Sequence, residues 1–250
     1  VVVKLDKLTA SENANSNNNV DGSPAGGTNL TLYVCENDDG VGLVDLKAVL
    51  APADAGPEAY GKTRFKVDGE DSTPPNGVFS ATGTAQITLK SKNGNRRFTV
   101  TAWYDCDNDK ALGAEKTLAV DIVLVKLESL TVTDSASGKS QTDSAPGGPN
   151  PTLYLCHAPG GVEVNLSASF LPADYDRSKI LWKVDGTAAS GNFGGGTTAT
   201  LVPHTTRFTA KAGIDCNGNG DLGDDEIKRE VDVVVLTVEL VFPRYIGEGD

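Results

Sequence analysis

Gly26-Gly27-Thr28-Asn29-Leu30-Thr31-Leu32-Tyr33-Val34-Cys35 returns 121 residues later as Gly147-Gly148-Pro149-Asn150-Pro151-Thr152-Leu153-Tyr154-Leu155-Cys156. Further blocks return in the same order. Pro52-Ala53-Asp54 comes back as Pro172-Ala173-Asp174, and Lys66-Val67-Asp68-Gly69 as Lys183-Val184-Asp185-Gly186. Arg97-Phe98-Thr99 and Asp105-Cys106 come back as Arg207-Phe208-Thr209 and Asp215-Cys216. The offset shrinks to 110 only between blocks, where loops would be trimmed. The chain is a tandem duplication of one domain. A β-branched junction occurs three times: Val1-Val2-Val3-Lys4-Leu5, Val123-Leu124-Val125-Lys126-Leu127 and Val233-Val234-Val235-Leu236. Domains are expected at 1–126 and 127–250. The chain is then either cut from a longer array or built to meet neighbouring copies at both ends. The absence of methionine, even at position 1, is read the same way, as a processed product or an excerpt.

Within one repeat, strand signals dominate. Leu43 to Leu50 alternates apolar and polar residues, and Pro52 ends it. Thr63 to Val67 is short and apolar. Ala85 to Leu89 and Phe98 to Tyr104 flank an Asn93-Gly94 turn. Thr117 to Val125 runs on into Leu127 to Val132, a stretch shared between the domains. Seven or so strands in about 115 residues predict an all-β antiparallel sandwich. Ser11 to Thr28 and Thr133 to Pro151, rich in Ser, Asn, Gly and Pro, are expected to be mobile surface loops.

The order Leu-Tyr-Val-Cys, alternating strand, Pro-Ala-Asp, Phe-Lys-Val-Asp-Gly, Phe-Thr-Val-Thr-Ala resembles bacterial immunoglobulin-like repeats. Trp182, with Phe65 as its counterpart, falls where such folds often place a core aromatic. The resemblance covers both copies, although copy two is shorter between Gly186 and Thr197. It implies two tandem immunoglobulin-like antiparallel β-sandwiches, a stacking module of extracellular or cell-surface proteins.

Composition narrows the function. There are 22 Lys+Arg against 34 Asp+Glu, a net charge of −12, which disfavours nucleic acid and anionic membrane surfaces. Apolar residues at 38% suffice for a core. No apolar run reaches membrane-spanning length. The two histidines, His157 and His204, sit at non-equivalent places, and no nucleophile-elbow or zinc-ligand spacing appears. No enzyme is expected. Gly218-x-Gly220-x-x-Gly223 lacks the helix N-terminus that a dinucleotide needs, and Asp224-Asp225-Glu226 would repel pyrophosphate. Gly194-Gly195-Gly196-Thr197 lacks the P-loop lysine. Asn29-Leu30-Thr31 and Asn165-Leu166-Ser167 match the glycosylation pattern, the second within an expected strand.

One motif points to a cofactor, calcium. Asp215 to Glu226 fits D-x-[DN]-x-[DN]-G-x5-E throughout. Asp215, Asn217, Asn219 and Glu226 offer side-chain oxygens, Asp221 a carbonyl, and Gly220 the sharp turn. The flanks are strands, so this is a calcium loop on a hairpin. Copy one is a weaker match. It keeps Asp105, Asp107 and Asp109, but has Lys110 at the glycine position and Glu115 one place early. Asp, Asn and Gly also favour turns without any metal.

Two cysteines per repeat, at matching positions, indicate disulfides. Three pairings exist. Cys35–Cys106 with Cys156–Cys216 would suit independently folding modules. However, Cys35 and Cys106 are expected at opposite ends of one sandwich. A strand of about 8 residues spans about 26 Å, whereas bridged Cα atoms lie under about 7 Å apart. Geometry favours Cys35–Cys216 across the junction, leaving Cys106 and Cys156 to pair between subunits.

The favoured function is a structural subunit of an extracellular filament or surface array. Identical subunits would assemble head-to-tail by strand addition at the chain ends, through Val1, Val2, Val3 and Leu5 at one end and Val235, Val238, Leu240 and Phe242 at the other. The alternative is an adhesin or ligand-binding module excerpted from a larger cell-surface protein.

Overall fold

The apolar alternation of the sequence becomes strands in both halves of the computed structural model. It describes residues 2–37, 39–68, 72–92, 94–112, 116–145, 148–156, 162–173, 180–185, 192–194, 198–201, 207–216, 219–222 and 228–236. The first half contains β1 (Lys4–Glu12), β2 (Asn19–Asp21), β3 (Ser23–Pro24), β4 (Thr31–Cys35) and β5 (Val41–Ala51). A single helical turn, α1 (Pro57–Tyr60), follows. Next come β6 (Thr63–Asp68), β7 (Ser72–Thr73), β8 (Asn76–Val78), β9 (Thr84–Lys90), β10 (Arg97–Tyr104) and β11 (Thr117–Asp134). The second half adds β12 (Ser140–Asp143), β13 (Thr152–Cys156), β14 (Val164–Leu171), β15 (Ile180–Asp185), β16 (Asn192–Gly194), β17 (Thr198–Leu201), β18 (Arg207–Ile214) and β19 (Lys228–Leu236).

In the first domain, β2-β1-β5-β9-β7 form one sheet; β4, β11, β10, β6 and β8 form the other, with β3 also on β11. Taking β1, β5, β6, β7, β9, β10 and β11 as strands A to G gives A-B-E-D facing C-F-G, the immunoglobulin arrangement. Leu46 and Leu50 of β5 point into the core, while Asp45 and Lys47 of the same strand do not. The second domain repeats the plan. One sheet holds the end of β11 with β14 and β17; the other runs β13-β19-β18-β15-β16. The chain is all-β, a pair of tandem immunoglobulin-like sandwiches.

The duplication extends to register. Phe65 pairs with Ala102, and Trp182 with Ala212; both aromatics are buried. Thr99 donates to Asp121 at 2.7 Å, and Thr209 to Asp232 at 2.7 Å. The register shift at Leu5/Lys7 recurs at Leu127/Ser129.

The element that orders the whole chain is β11, one strand of 18 residues. Its first part pairs with β10 and, in parallel, with β4 as far as Val125↔Cys35. From Lys126↔Leu171 onward it pairs with β14. The last strand of one domain is thus the first strand of the next. Ile122 and Leu124 belong to the first core, Val125 and Leu127 to the second.

One expected loop is corrected here. Ser11 to Thr28 is not a bare surface loop: Ser11 and Glu12 end β1, and β2 and β3 lie within the segment. Glu12 is buried and accepts from the side chain of Asn18. Low strand propensity is overridden by these tertiary partners. Ser140 to Asp143 forms β12 in the matching segment of copy two.

Candidate functional site

Cys35 ends β4 beside Val125, the point where β11 passes from one domain to the next. Its sulfur is joined to that of Cys216, which follows β18 of the second domain, with Cα atoms 5.9 Å apart. Tyr33, Cys35 and Cys216 pack against the second domain's core. Asn15 Nδ2 donates to the Cys216 carbonyl at 3.2 Å, a second tie across the junction. Glu12 braces the near side. Its Oε1 accepts from the Cys35 N–H at 2.8 Å and its Oε2 from Asn18 Nδ2 at 2.7 Å. Asn18 Nδ2 also donates to the Tyr33 carbonyl at 2.7 Å.

Beneath the disulfide lies a charge cluster that sequence reading does not reveal. Glu36 is 1% exposed; it pairs with Arg96 and stands 4.0 Å from Lys126 Nζ. Ser91 Oγ donates to Glu36 Oε1 at 3.2 Å. Burial pulls the Arg96 guanidinium below its ordinary value, and Glu128 nearby opposes that shift. No spacing in the sequence distinguishes a buried Glu-Arg pair from exposed ones.

The remaining two cysteines hold the counterpart positions at the outer ends. Both Cys106 and Cys156 are free and exposed. Tyr154, the counterpart of Tyr33, is 60% exposed. Around Cys156 lies a groove of about 510 Å³ lined by Asp134, Tyr154, Leu155 and Val162 among others. Its counterpart around Cys35, lined by Glu12, Val34 and Val41, measures about 140 Å³.

The acidic loops differ between copies. In copy two, Asp215 accepts from the backbone N–H of Asn219 at 3.1 Å and of Gly220 at 3.0 Å. Gly220 has φ +80°, as the tight turn requires. Asp221 is paired with Lys183 at 3.3 Å. Asn217 and Glu226 lie outside the described residues. In copy one, carboxylate oxygens of Asp105, Asp107 and Asp109 all lie within 4.8 Å of one another. Asp105 is buried. Arg64 Nε donates to its Oδ2, and the backbone N–H groups of Asn108 and Lys110 also hydrogen-bond to the carboxylate. The Arg64 hydrogen bond holds the Asp105 carboxyl below the ordinary carboxylate range, against the opposing effect of burial. Glu115 lies outside the described residues.

The proposed strand-addition contacts fare differently. Leu5 and Val235 are core residues, 1% and 6% exposed, and are not available on a surface. Val3 packs against the first core and Val2 is exposed. Val1, Val238, Leu240 and Phe242 lie outside the described residues. Moreover, β19 has β18 on one side and β13 on the other, so Val231 to Val234 is not an open sheet edge. Alternation identifies an inward face without saying which body covers it.

Of the glycosylation matches, Asn29 donates to Asp121 at 3.0 Å and Asn165, on β14, to Ser135 at 2.8 Å. His157, His204 and Gly223 lie outside the described residues. No described helix is long and apolar enough to cross a membrane.

Fold and junction together define tandem immunoglobulin-like sandwich domains joined by a shared strand and a disulfide. No family model and no curated protein matches the chain. Among solved structures it is similar to a C-terminal 282-residue fragment of intimin, solved in complex with the intimin-binding domain of the translocated intimin receptor. The identity is 14% over 81% of this chain and 60% of that one, with a TM-score of 0.43. The chain thus spans 60% of the length of that fragment. It is also similar to fibronectin(III)-like modules of CbhA from Clostridium thermocellum, at 10% identity over 98% of this chain and 100% of that one, TM-score 0.31. Mouse cadherin-23 EC22-24 is similar at 18% identity over 88% of this chain and 68% of that one, TM-score 0.27.

Proposed function

We propose that this chain is a structural subunit of an extracellular filament or surface array, stacked head-to-tail so that each joint repeats the internal junction. The observation that supports this is β11 together with the Cys35–Cys216 bridge: one strand serves two domains, and a covalent tie locks their orientation. Such a joint resists bending, which suits load-bearing and spacing rather than catalysis. A disulfide fits an oxidising, extracytoplasmic setting. Sedimentation velocity of the oxidised chain tests the reading. A weight-average mass that climbs with concentration is expected. A strictly monomeric chain would favour the adhesin or ligand-binding alternative, which needs no self-association.

Calcium belongs to the same proposal, at the Asp215–Glu226 loop of copy two and at the matching loop of copy one. In copy one, the convergence of Asp105, Asp107 and Asp109 supports a cation there. Calcium favours such hard oxygens and would stiffen the outer end of the first domain. Calorimetry should register calcium binding in the native chain and fewer bound ions in Asp107→Asn/Asp109→Asn. No heat at millimolar calcium in the native chain would end this part of the proposal.

A further inference from the structure

Building on that head-to-tail reading, we propose that the groove around Cys156 is a socket for the Asp105–Lys110 loop of a second copy of this chain, and that Cys156 becomes bonded to Cys106 of the entering copy. The groove is the counterpart of a site whose occupant is visible. Asp134, Leu155 and Cys156 stand where Glu12, Val34 and Cys35 stand in the first domain. There the occupant is the segment after β18, held by the Cys35–Cys216 bond and the Asn15 hydrogen bond. With that occupant in place the space is about 140 Å³; around Cys156 it is about 510 Å³. The segment after β10, Asp105-Cys106, is the duplicate of Asp215-Cys216, and its thiol is exposed.

The two thiols of one chain cannot meet. Trp103 pairs with Thr117 at the start of β11, and Asp134, at its end, lines the Cys156 groove. At about 3.3 Å per residue, the 18 residues of β11 separate the two sites by roughly 60 Å. Bridged Cα atoms lie under about 7 Å apart. The partner of each thiol therefore belongs to another chain, and the duplication sets its polarity: second domain to first.

The bond forms by thiol–disulfide exchange with a small-molecule disulfide such as oxidised glutathione. The Cys106 thiolate attacks it, giving a mixed disulfide and one glutathione thiolate. The Cys156 thiolate of the other chain then attacks the Cys106 sulfur and expels the second glutathione. Two protein thiols are oxidised, one glutathione disulfide is reduced to two thiols, and the two protons lost by the protein thiols end on the glutathione thiolates.

The joint differs from the internal one at a polar contact. Ser137 holds the place of Asn15, and its hydroxyl is committed to Asp134. The Asn15 hydrogen bond therefore has no equivalent, and the joint leans more heavily on the disulfide.

The test uses Cys106→Ser and Cys156→Ser chains in a glutathione redox buffer, with the Cys35–Cys216 bond intact. Mixed one to one, they should give a covalent dimer whose digest contains a Cys106–Cys156 peptide. Each alone should stay uncrosslinked, and the native chain should form a ladder. Tyr154→Glu, a change at an exposed side chain, should slow laddering on the order of tenfold, the factor given by about 1.4 kcal/mol of lost docking energy. A Cys106–Cys106 or Cys156–Cys156 product, or laddering indifferent to Tyr154→Glu, would overturn the socket. A native chain that sediments as polymers without crosslinks would overturn the socket alone; one that remains monomeric would overturn the head-to-tail reading as well.

Discussion

At the internal junction Tyr33 packs on the neighbouring domain's core and Cys35 is bonded. At the far end of the second domain the same sequence block leaves Tyr154 60% exposed and Cys156 a free thiol. The inward residues of the block behave alike at both places: Val34 and Leu155 are 1% and 3% exposed. The block therefore has two faces. Alternate residues build their own domain, and of the others Tyr33 and Cys35 are covered by the second domain while Tyr154 and Cys156 are exposed. A second difference lies underneath. Glu36 and Arg96 form a buried pair at the junction, while the sequence holds His157 and Thr206 at the matching places.

The largest expected effect separates the two pairs of cysteines. Cys35→Ser/Cys216→Ser removes a bridge between residues 181 apart and should cost up to about 5 kcal/mol in denaturant unfolding. Cys106→Ser/Cys156→Ser should change the unfolding of dilute monomer by less than about 0.5 kcal/mol. Equal costs would break the comparison. Next, Glu36→Gln leaves the Arg96 charge buried and unpaired, and a loss of about 3 kcal/mol is expected. The same unfolding assay should recover most of that loss in Glu36→Gln/Arg96→Met. A smaller effect comes from Asn15→Ala, which deletes the bond to the Cys216 carbonyl; about 1 kcal/mol is expected, with the first domain's own core untouched.

The subtlest effect is on pH dependence. The Asp105 carboxyl is held below its ordinary range in the folded chain, so its contribution is present above the unfolded value near 3.9. It is lost as pH falls through the depressed folded value. Arg64→Ala removes the largest cause of the depression, so its unfolding midpoint should depend less on pH between about 4 and 2 than that of the native chain. Parallel acid profiles would show that the Arg64–Asp105 bond does not stabilise this end.

Much of the fold is legible in the sequence because burial imposes period-2 alternation on β5 and β10 and because the blocks repeat. The Cys35–Cys216 proximity follows from strand length once the order of strands is known. Other features were hidden for physical reasons. The Asn residues of the Ser11–Thr28 segment signal turns by propensity, whereas Asn15 and Asn18 act here as hydrogen-bond donors to backbone carbonyls. Leu5 and Val235 look like a sticky end because a β-branched run reads the same whether its own domain or a neighbour covers it. The calcium pattern is complete in copy two, yet among the described residues the carboxylates converge in copy one. Residue spacing does not encode how backbone N–H groups engage these oxygens, as they do in both loops, or how Lys183 does in copy two.

If the joint between chains repeats the axial offset of the joint within a chain, the domains of a filament of this protein are evenly spaced. Electron micrographs of oxidised material measure this most directly. The expected result is a filament with one uniform axial spacing, one domain per repeat. Alternating short and long spacings, or the absence of filaments at concentrations where the Cys106–Cys156 bond has formed, would contradict it.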